Sequence, residues 1–424
     1  MIKKNAPAII VTGIILILAA AVIGLLFYIK NLAPQTRGIQ PLVEVALMEP
    51  DSSKWGQNFP NQYATYLMTA TNNTRTTYGG SEPFSKLEAD PRLLTLFGGY
   101  SFSIEYNEER GHANALTDVR AIARVNETTP GTCYSCKSSN NPSLWDEMGM
   151  AAYDATLFSE LGAHITNPIG CANCHDAETM ALVVTNPALE AGLEAQGLDW
   201  TTFSRQQMRT VVCANCHVEY YFEGDGKFLT FPWANGTNID NIADYYEEDG
   251  FTDWTHPDSG TAMVKMQHPE YEMYTSDSTH YMAGVACADC HMPYTRDGSA
   301  KFSSHNVMSP LLNAEAACGA CHTDVEYVTG RVAVIQALSY KTLIATEDAL
   351  VSCIEAIKAA KAAGASDAAL AEARALHREA QLRWDFVAAE NSMGFHNPEE
   401  VLRTLALATD MARQAEISAM QAMP

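Results

Sequence analysis

Ten of the eleven cysteines fall into five Cys-x-x-Cys pairs. Four pairs are followed directly by histidine: Cys171-Cys174-His175, Cys213-Cys216-His217, Cys287-Cys290-His291 and Cys318-Cys321-His322. This spacing joins two thioethers to one haem and turns the next imidazole towards its iron. A zinc site would want four thiolates or mixed ligands in paired knuckles, a poor match to four complete haem motifs. The fifth pair reads Cys133-Tyr134-Ser135-Cys136-Lys137. A lysine amine binds iron only when deprotonated, and burial beside the metal is expected to lower its pKa. Taken alone, this pair also reads as a redox dithiol or a structural disulfide, with Lys137 an ordinary charge.

The histidine count sharpens the contrast. Of 12 histidines, four are proximal in these motifs, which leaves His112, His164, His256, His268, His280, His305, His377 and His396. Electron-transfer haems carry two protein ligands, so four histidine-ligated haems need four distal histidines. The lysine haem is then free to keep an open face, and an open face is what substrate binding requires.

The elements that must hold these groups divide the chain. Residues 55–326 are loop-rich, with short helical pieces interrupted by Gly, Pro, Asn and Asp. No alternation of apolar and polar residues lasts long enough for a substantial sheet. Five porphyrins would fill the core of so irregular a segment. From Tyr327 to Ala363 the sequence is Ala-rich, apolar at helical spacing and free of proline. Gly364 is a stop, and Ser366 or Asp367 an N-cap for a second helix running to Ala389. Pro398 suits the first turn of a last helix ending near Met420. The expected class is mainly α: a loop-rich pentahaem core over 55–326 and a long-helix region over 327–424. Cys353 reads as a buried small apolar residue.

Residues 1–30 form a membrane anchor or signal sequence, and 31–54 a linker. Lys3 and Lys4 precede an uncharged run, Ala6–Tyr28, long enough to cross a bilayer core of roughly 30 Å. No convincing cleavage site follows, which favours an uncleaved anchor, although small residues near Ala19–Ala21 keep cleavage open. Either way the body is exported, to the periplasm or another extracytoplasmic space. With 50 acids against 27 bases the formal net charge is −23. That argues against nucleic acid and suits either a basic docking partner or simple solubility.

The residues around these motifs resemble the pentahaem, ammonia-forming cytochrome c nitrite reductases. The resemblance covers about Tyr100 to Pro398 and rests on specific strings. They are Gly111-His112 followed by Leu116-Thr117-Asp118-Val119, the Cys-x-x-Cys-Lys site, and Cys213-Ala214-Asn215-Cys216-His217-Val218-Glu219-Tyr220-Tyr221-Phe222. Further along come Lys265-Met266-Gln267-His268-Pro269-Glu270, Cys290-His291-Met292-Pro293 and Gly394-Phe395-His396-Asn397-Pro398.

The resemblance implies distal ligands that spacing alone does not assign. His112 would complete the haem on Cys213 and Cys216, and His305 the one on Cys171 and Cys174. His396 would complete the haem on Cys287 and Cys290, and His280 the one on Cys318 and Cys321. It implies Arg124, Tyr220 and His268 around the open face of the Lys137 haem. Arg120 lies close by, but Arg124 keeps the family's spacing from His112. It also implies a calcium ion held by side-chain oxygens of Glu219 and Gln267 and backbone carbonyls of Tyr220 and Lys265. His164, His256 and His377 have no role in this pattern. The implied activity is six-electron reduction of nitrite to ammonium, with electrons relayed through four bis-histidine haems. The implied partners are a second copy, through the long helices, and a quinol-oxidising membrane multihaem cytochrome as donor. The alternatives are an electron-transfer protein without catalysis, or a reductase or oxidase of hydroxylamine, nitric oxide or an oxidised sulfur anion such as sulfite.

Overall fold

The computed structural model describes residue 13, residues 15–25 and residues 41–424. Part of the expected anchor, Ala6–Tyr28, lies outside the described residues; those described, 13 and 15–25, are helical. No helix among the described residues is long and apolar enough to cross a membrane. Residues 45–424 form one compact unit.

Three long helices occupy the C-terminal part: Val325–Ala362, Ala371–Ala389 and Pro398–Gln421. The first begins where the Asp324 carboxylate caps the Tyr327 N–H at 2.8 Å. Gly364, with φ of +96°, follows its end in the left-handed region that glycine enters without a Cβ penalty. Ser366 caps only a short turn through Ala369, so the second helix starts later than its first capping residue suggests. The third has Asn397 as N-cap and Pro398 in its first turn, where no backbone N–H is needed.

These helices pack through Leu343, Leu350, Ile354 and Ile357, then Leu382 and Phe386, then Val401 and Leu405. Ala408, Ala412, Ala415 and Ala419 continue the third helix's buried stripe and let the helix axes approach closely. Each buried Leu or Ile contributes roughly 1.5–3 kcal/mol. Cys353 sits in this core, fully buried. The same cluster takes in Leu96, Phe97, Trp254, Met263 and Met266. The long helices therefore share one core with the loops that carry the site.

Among the described residues, strands are confined to three two-stranded antiparallel hairpins. One, Tyr221–Glu223 with Phe228–Thr230, follows directly on Tyr220. Another, Trp254–Thr255 with Ala262–Met263, leads into the segment Val264–His268. The remaining core is split into small clusters, one around Leu189, Val218 and Trp233 and one around Tyr134, Tyr153 and Phe158.

Candidate active site

Each histidine motif is built on one tight turn. The backbone N–H groups of His175, His217 and His322 donate to the carbonyl of their own motif's first cysteine, at 3.0, 2.9 and 2.8 Å. Cys287–His291 is a short helix. This turn brings both thiols and the imidazole to one side. A second histidine faces each one. Ring centres are 6.3 Å apart for His112 and His217, 6.2 Å for His175 and His305, 6.2 Å for His291 and His396, and 6.4 Å for His280 and His322. Two metal–nitrogen bonds of about 2 Å on opposite sides of one metal put ring centres roughly 6 Å apart. The residues present therefore fit a metal held between each pair.

The outer partners fit as well. The Nδ1 atoms of His175, His291 and His305 lie 3.1, 3.0 and 2.9 Å from the carbonyls of Met180, Met308 and Ser303. A proton fixed on Nδ1 leaves Nε2 for a metal. Burial, reinforced by the facing imidazole, lowers His112, His291 and His305 to about 4, the neutral form a metal needs. Neighbouring motifs also touch. The sulfurs of Cys136 and Cys216 are within hydrogen-bonding reach of each other, as are those of Cys213 and Cys287.

The lysine motif turns differently. The Lys137 N–H donates to the Tyr134 carbonyl at 2.9 Å. Asn141 fixes the turn by donating to the carbonyls of Tyr134 and Ser135, at 2.7 and 2.9 Å. Lys137 Nζ lies 4.0 Å from Glu109 Oε1, and His268 Nε2 lies 3.4 Å from the same oxygen. Burial favours the neutral amine, but Glu109 and the neighbouring thiols outweigh it and hold Lys137 above its ordinary value. Burial by itself thus does not free this amine; the expectation from sequence concerns burial beside a metal. Burial likewise opposes the charge on Glu109, yet His268 and Lys137 hold it well below the usual carboxylate range.

Arg120 and Arg124, four positions apart in sequence, have different surroundings. Arg120 Nη2 donates to the carbonyls of Gly162 and Ile165, both at 2.7 Å, and Nε to the Tyr134 hydroxyl. Arg124 stacks its guanidinium 3.8 Å over the Phe102 ring, and its buried Nε has no partner in the protein. Tyr220 lies by the same motif: burial, then the charges of Cys136 and Cys133, hold its phenol well above the ordinary value. Burial lowers His268 despite Glu109 and Glu270. Arg124, Tyr220, His268 and Lys137 therefore gather around Cys133 and Cys136.

Next to Tyr220 in sequence is a buried carboxylate. Glu219 is fully buried. Its Oε1 accepts from the Tyr246 hydroxyl at 2.8 Å and its Oε2 from the Gln267 N–H at 2.5 Å. The Gln267 side-chain amide lies 3.1 Å from the Lys265 carbonyl. Burial pushes Glu219 well above the usual carboxylate range, and Glu272 adds to the shift. A hard cation would relieve that penalty, and carboxylate, amide and carbonyl oxygens are calcium ligands. Among the described residues no group of three or more His, Cys, Asp or Glu could hold a metal. The Glu219 carboxylate, the Lys265 carbonyl and the Gln267 side-chain amide come from neighbouring segments, and their oxygens are of the kind that calcium takes.

Three acids have no role in the reading of the sequence: Glu109, Glu390 and Glu270, the last quoted only as part of a motif. Glu270 Oε2 is 3.6 Å from His217 Nδ1, and Glu390 Oε1 is 2.5 Å from His396 Nδ1. The available signal was their position, each within a few residues of a ligand candidate. His256 and His377 are buried: His377 bonds Thr261 and Gln381, and His256 meets the Thr95 carbonyl. His164 is exposed.

Residues 51–424 match the cytochrome c552 family. Cytochrome c-552 of Parabacteroides distasonis is 39% identical over 383 residues, covering 88% of this chain and 77% of that protein. The cytochrome c nitrite reductase subunit NrfA of Nitratidesulfovibrio vulgaris is 39% identical over 413 residues, covering 88% and 78%. The solved catalytic subunit NrfA of Desulfovibrio desulfuricans cytochrome c nitrite reductase, described with two calcium sites, superposes with a TM-score of 0.84. Identity there is 38%, with coverage of 89% of this chain and 87% of that one. Proteins of the cytochrome c class carry haem and are generally extracytoplasmic. The chain belongs to the cytochrome c552 family and is an oxidoreductase of the cytochrome c nitrite reductase kind.

Proposed function

We propose that this enzyme reduces nitrite to ammonium with six electrons, at the haem held by Cys133 and Cys136 with Lys137 as its protein ligand. The observation that carries this reading is a division of labour among the histidines. Eight stand in four facing pairs about 6.2–6.4 Å apart, while His268 lies beside Lys137 with Arg124 and Tyr220. When bound, the Lys137 haem supplies an iron with one exchangeable position, and the four paired sites carry electrons to it.

The chain's own residues do the rest. The Arg124 guanidinium binds the nitrite oxygens through its unpaired Nε and offsets their charge. His268 holds a proton at Nε2, with the ionised Glu109 next to it to orient the ring and favour its protonated form. The Tyr220 phenol stays protonated and donates a hydrogen bond. Glu219, Tyr220, Lys265 and Gln267 would hold a calcium ion, which would fix the loops bearing Tyr220 and His268 and add positive charge that attracts an anion. Hydroxylamine, nitric oxide and sulfite are secondary substrates of the same pocket.

The assembly proposed with this activity is a homodimer through the first long helix, where Tyr327, Val334, Leu338 and Tyr340 are exposed. Its electron donor is a quinol-oxidising membrane cytochrome, met at the outer face of a membrane to which residues 1–30 attach the enzyme. A ligand titration of the haem-loaded protein tests the central reading. One haem in five is expected to be high-spin and to shift on adding nitrite or cyanide. Five low-spin haems unresponsive to both would leave only electron transfer.

A further inference from the structure

Lys265 raises a question that the calcium assignment does not answer. Only its backbone carbonyl is asked to face the cation, yet the residue is a lysine, and its side chain is 1% exposed. The ammonium has partners of its own. Its Nζ is 2.9 Å from Asp385 Oδ1, on the second long helix, and it also donates to the Met266 carbonyl. The rings of Phe97, Phe102 and Tyr106 surround it at 5.2, 4.9 and 5.4 Å. Asp385 Oδ2 accepts from the Met266 N–H at 2.9 Å, and Asp253 Oδ2 accepts from the Lys265 N–H at 2.8 Å. The segment Lys265–Gln267 is therefore tied by consecutive backbone N–H groups to three carboxylates: Asp253, Asp385 and Glu219. Phe102, part of the aromatic box, is also the ring over which Arg124 stacks at 3.8 Å.

We propose that the buried Lys265–Asp385 pair is a positioning device for the pocket. It anchors the 265–268 loop to the second long helix, aims the Lys265 carbonyl and Gln267 at the calcium, and holds Phe102 beneath Arg124. The inference rests on assigning that loop to the calcium and nitrite pocket. A buried ion pair is a poor source of net stability, since desolvation consumes most of its attraction, and apolar residues often do as well. Its value here is geometric: two opposite charges in an aromatic box admit one arrangement, and the loop follows it.

Asp385→Asn in the haem-loaded protein keeps an oxygen for Met266 and deletes the charge facing Lys265. Calcium retention against a chelator is expected to weaken about 10- to 100-fold, the usual cost of losing an outer-shell partner. KM for nitrite rises more than kcat falls, the high-spin haem signal shifts, and the four low-spin signals stay unchanged. Lys265→Met/Asp385→Leu removes both charges together, so no lone charge is left buried. Its melting temperature is expected to return towards wild type while calcium retention and KM do not. Asp385→Asn with unaltered calcium retention and KM, or a double variant that regains both along with its stability, overturns the positioning role. Wild-type holoenzyme that holds no calcium refutes the cation assignment and the proposal with it.

Discussion

Lys137 is the residue on which the proposed chemistry turns, and its environment is less simple than its motif. The sequence made it stand out from four histidines. It did not make legible that Glu109, four residues beyond Glu105 in an ordinary polar stretch, would meet both Lys137 and His268. Contacts between residues 109, 137 and 268 are set by three separate loops, and no local pattern encodes them. The sequence favours Arg124 only by its distance from His112; in the fold Arg120 is saturated by two carbonyls and a tyrosine while Arg124 keeps an unpaired Nε, which supports the proposed role of Arg124. A charged hydrogen bond is worth about 1.5–3 kcal/mol, so Arg124→Ala should raise KM for nitrite about 10- to 100-fold. Arg120→Ala should instead lower the melting temperature and leave KM near wild type. Steady-state kinetics beside thermal melts of both variants separates the two roles, and the opposite assignment of effects would exchange them. His268→Gln keeps a hydrogen-bond donor but no titrating nitrogen; turnover should drop about 100-fold or more, and normal turnover would remove its proton role.

At the scale of elements, helices were the readable part. Alanine-rich periodicity, Gly364 and Pro398 mark the three long helices because local sequence suffices to start and stop them. The short turns of residues 55–326 have no such signature, since haem attachment and distant partners shape them. Gly111 shows the limit: a Cβ there would collide with the Thr69 backbone, so the Gly111-His112 pair is a close backbone approach that sets where His112 points. Gly111→Ala is expected to shift one low-spin haem signal and spare the other three; an unchanged spectrum would contradict the close-packing argument. The first long helix carries a second device. Arg92 faces Asp90 at 2.6 Å, Asp348 at 3.0 Å and Glu347 at 3.1 Å. One guanidinium cannot balance three carboxylates, and Glu347 is the most buried. Burial, then Asp90, pushes Glu347 up to about 9 from its ordinary 4.5, against the pull of Arg92. As pH rises through this window the unfolded chain releases the proton first, so this group makes stability fall with rising pH. Glu347→Gln should therefore raise the melting temperature at pH 8.5 by roughly 2 °C, about 1 kcal/mol or more, and leave it unchanged at pH 5. Equal effects at both pH values would show that the proton is not held there.

At the scale of the whole molecule, charge and core decide behaviour. The −23 formal charge makes a field that favours cationic donors at low salt. A cationic low-potential dye should reduce the protein faster than an anionic one of equal potential, with the gap closing as ionic strength rises past a Debye length of about 10 Å at 0.1 M. The loops around the site and the long helices share one core through Phe97, Trp254 and Met266. The sequence divided these regions by composition, which cannot report that Asp385 reaches back to Lys265 across 120 positions. The measurement that bears most directly on the whole is ammonium formed per nitrite consumed, by haem-loaded protein supplied with an artificial low-potential donor, for wild type and Lys137→Ala. One ammonium per nitrite is expected from the wild type, with six donor electrons oxidised. From Lys137→Ala, with its other four haems still attached and reducible, ammonium formation is expected to fall at least about 100-fold. Ammonium production undiminished in Lys137→Ala, or nitrite left unreduced by fully reduced wild type, would contradict catalysis at the lysine haem.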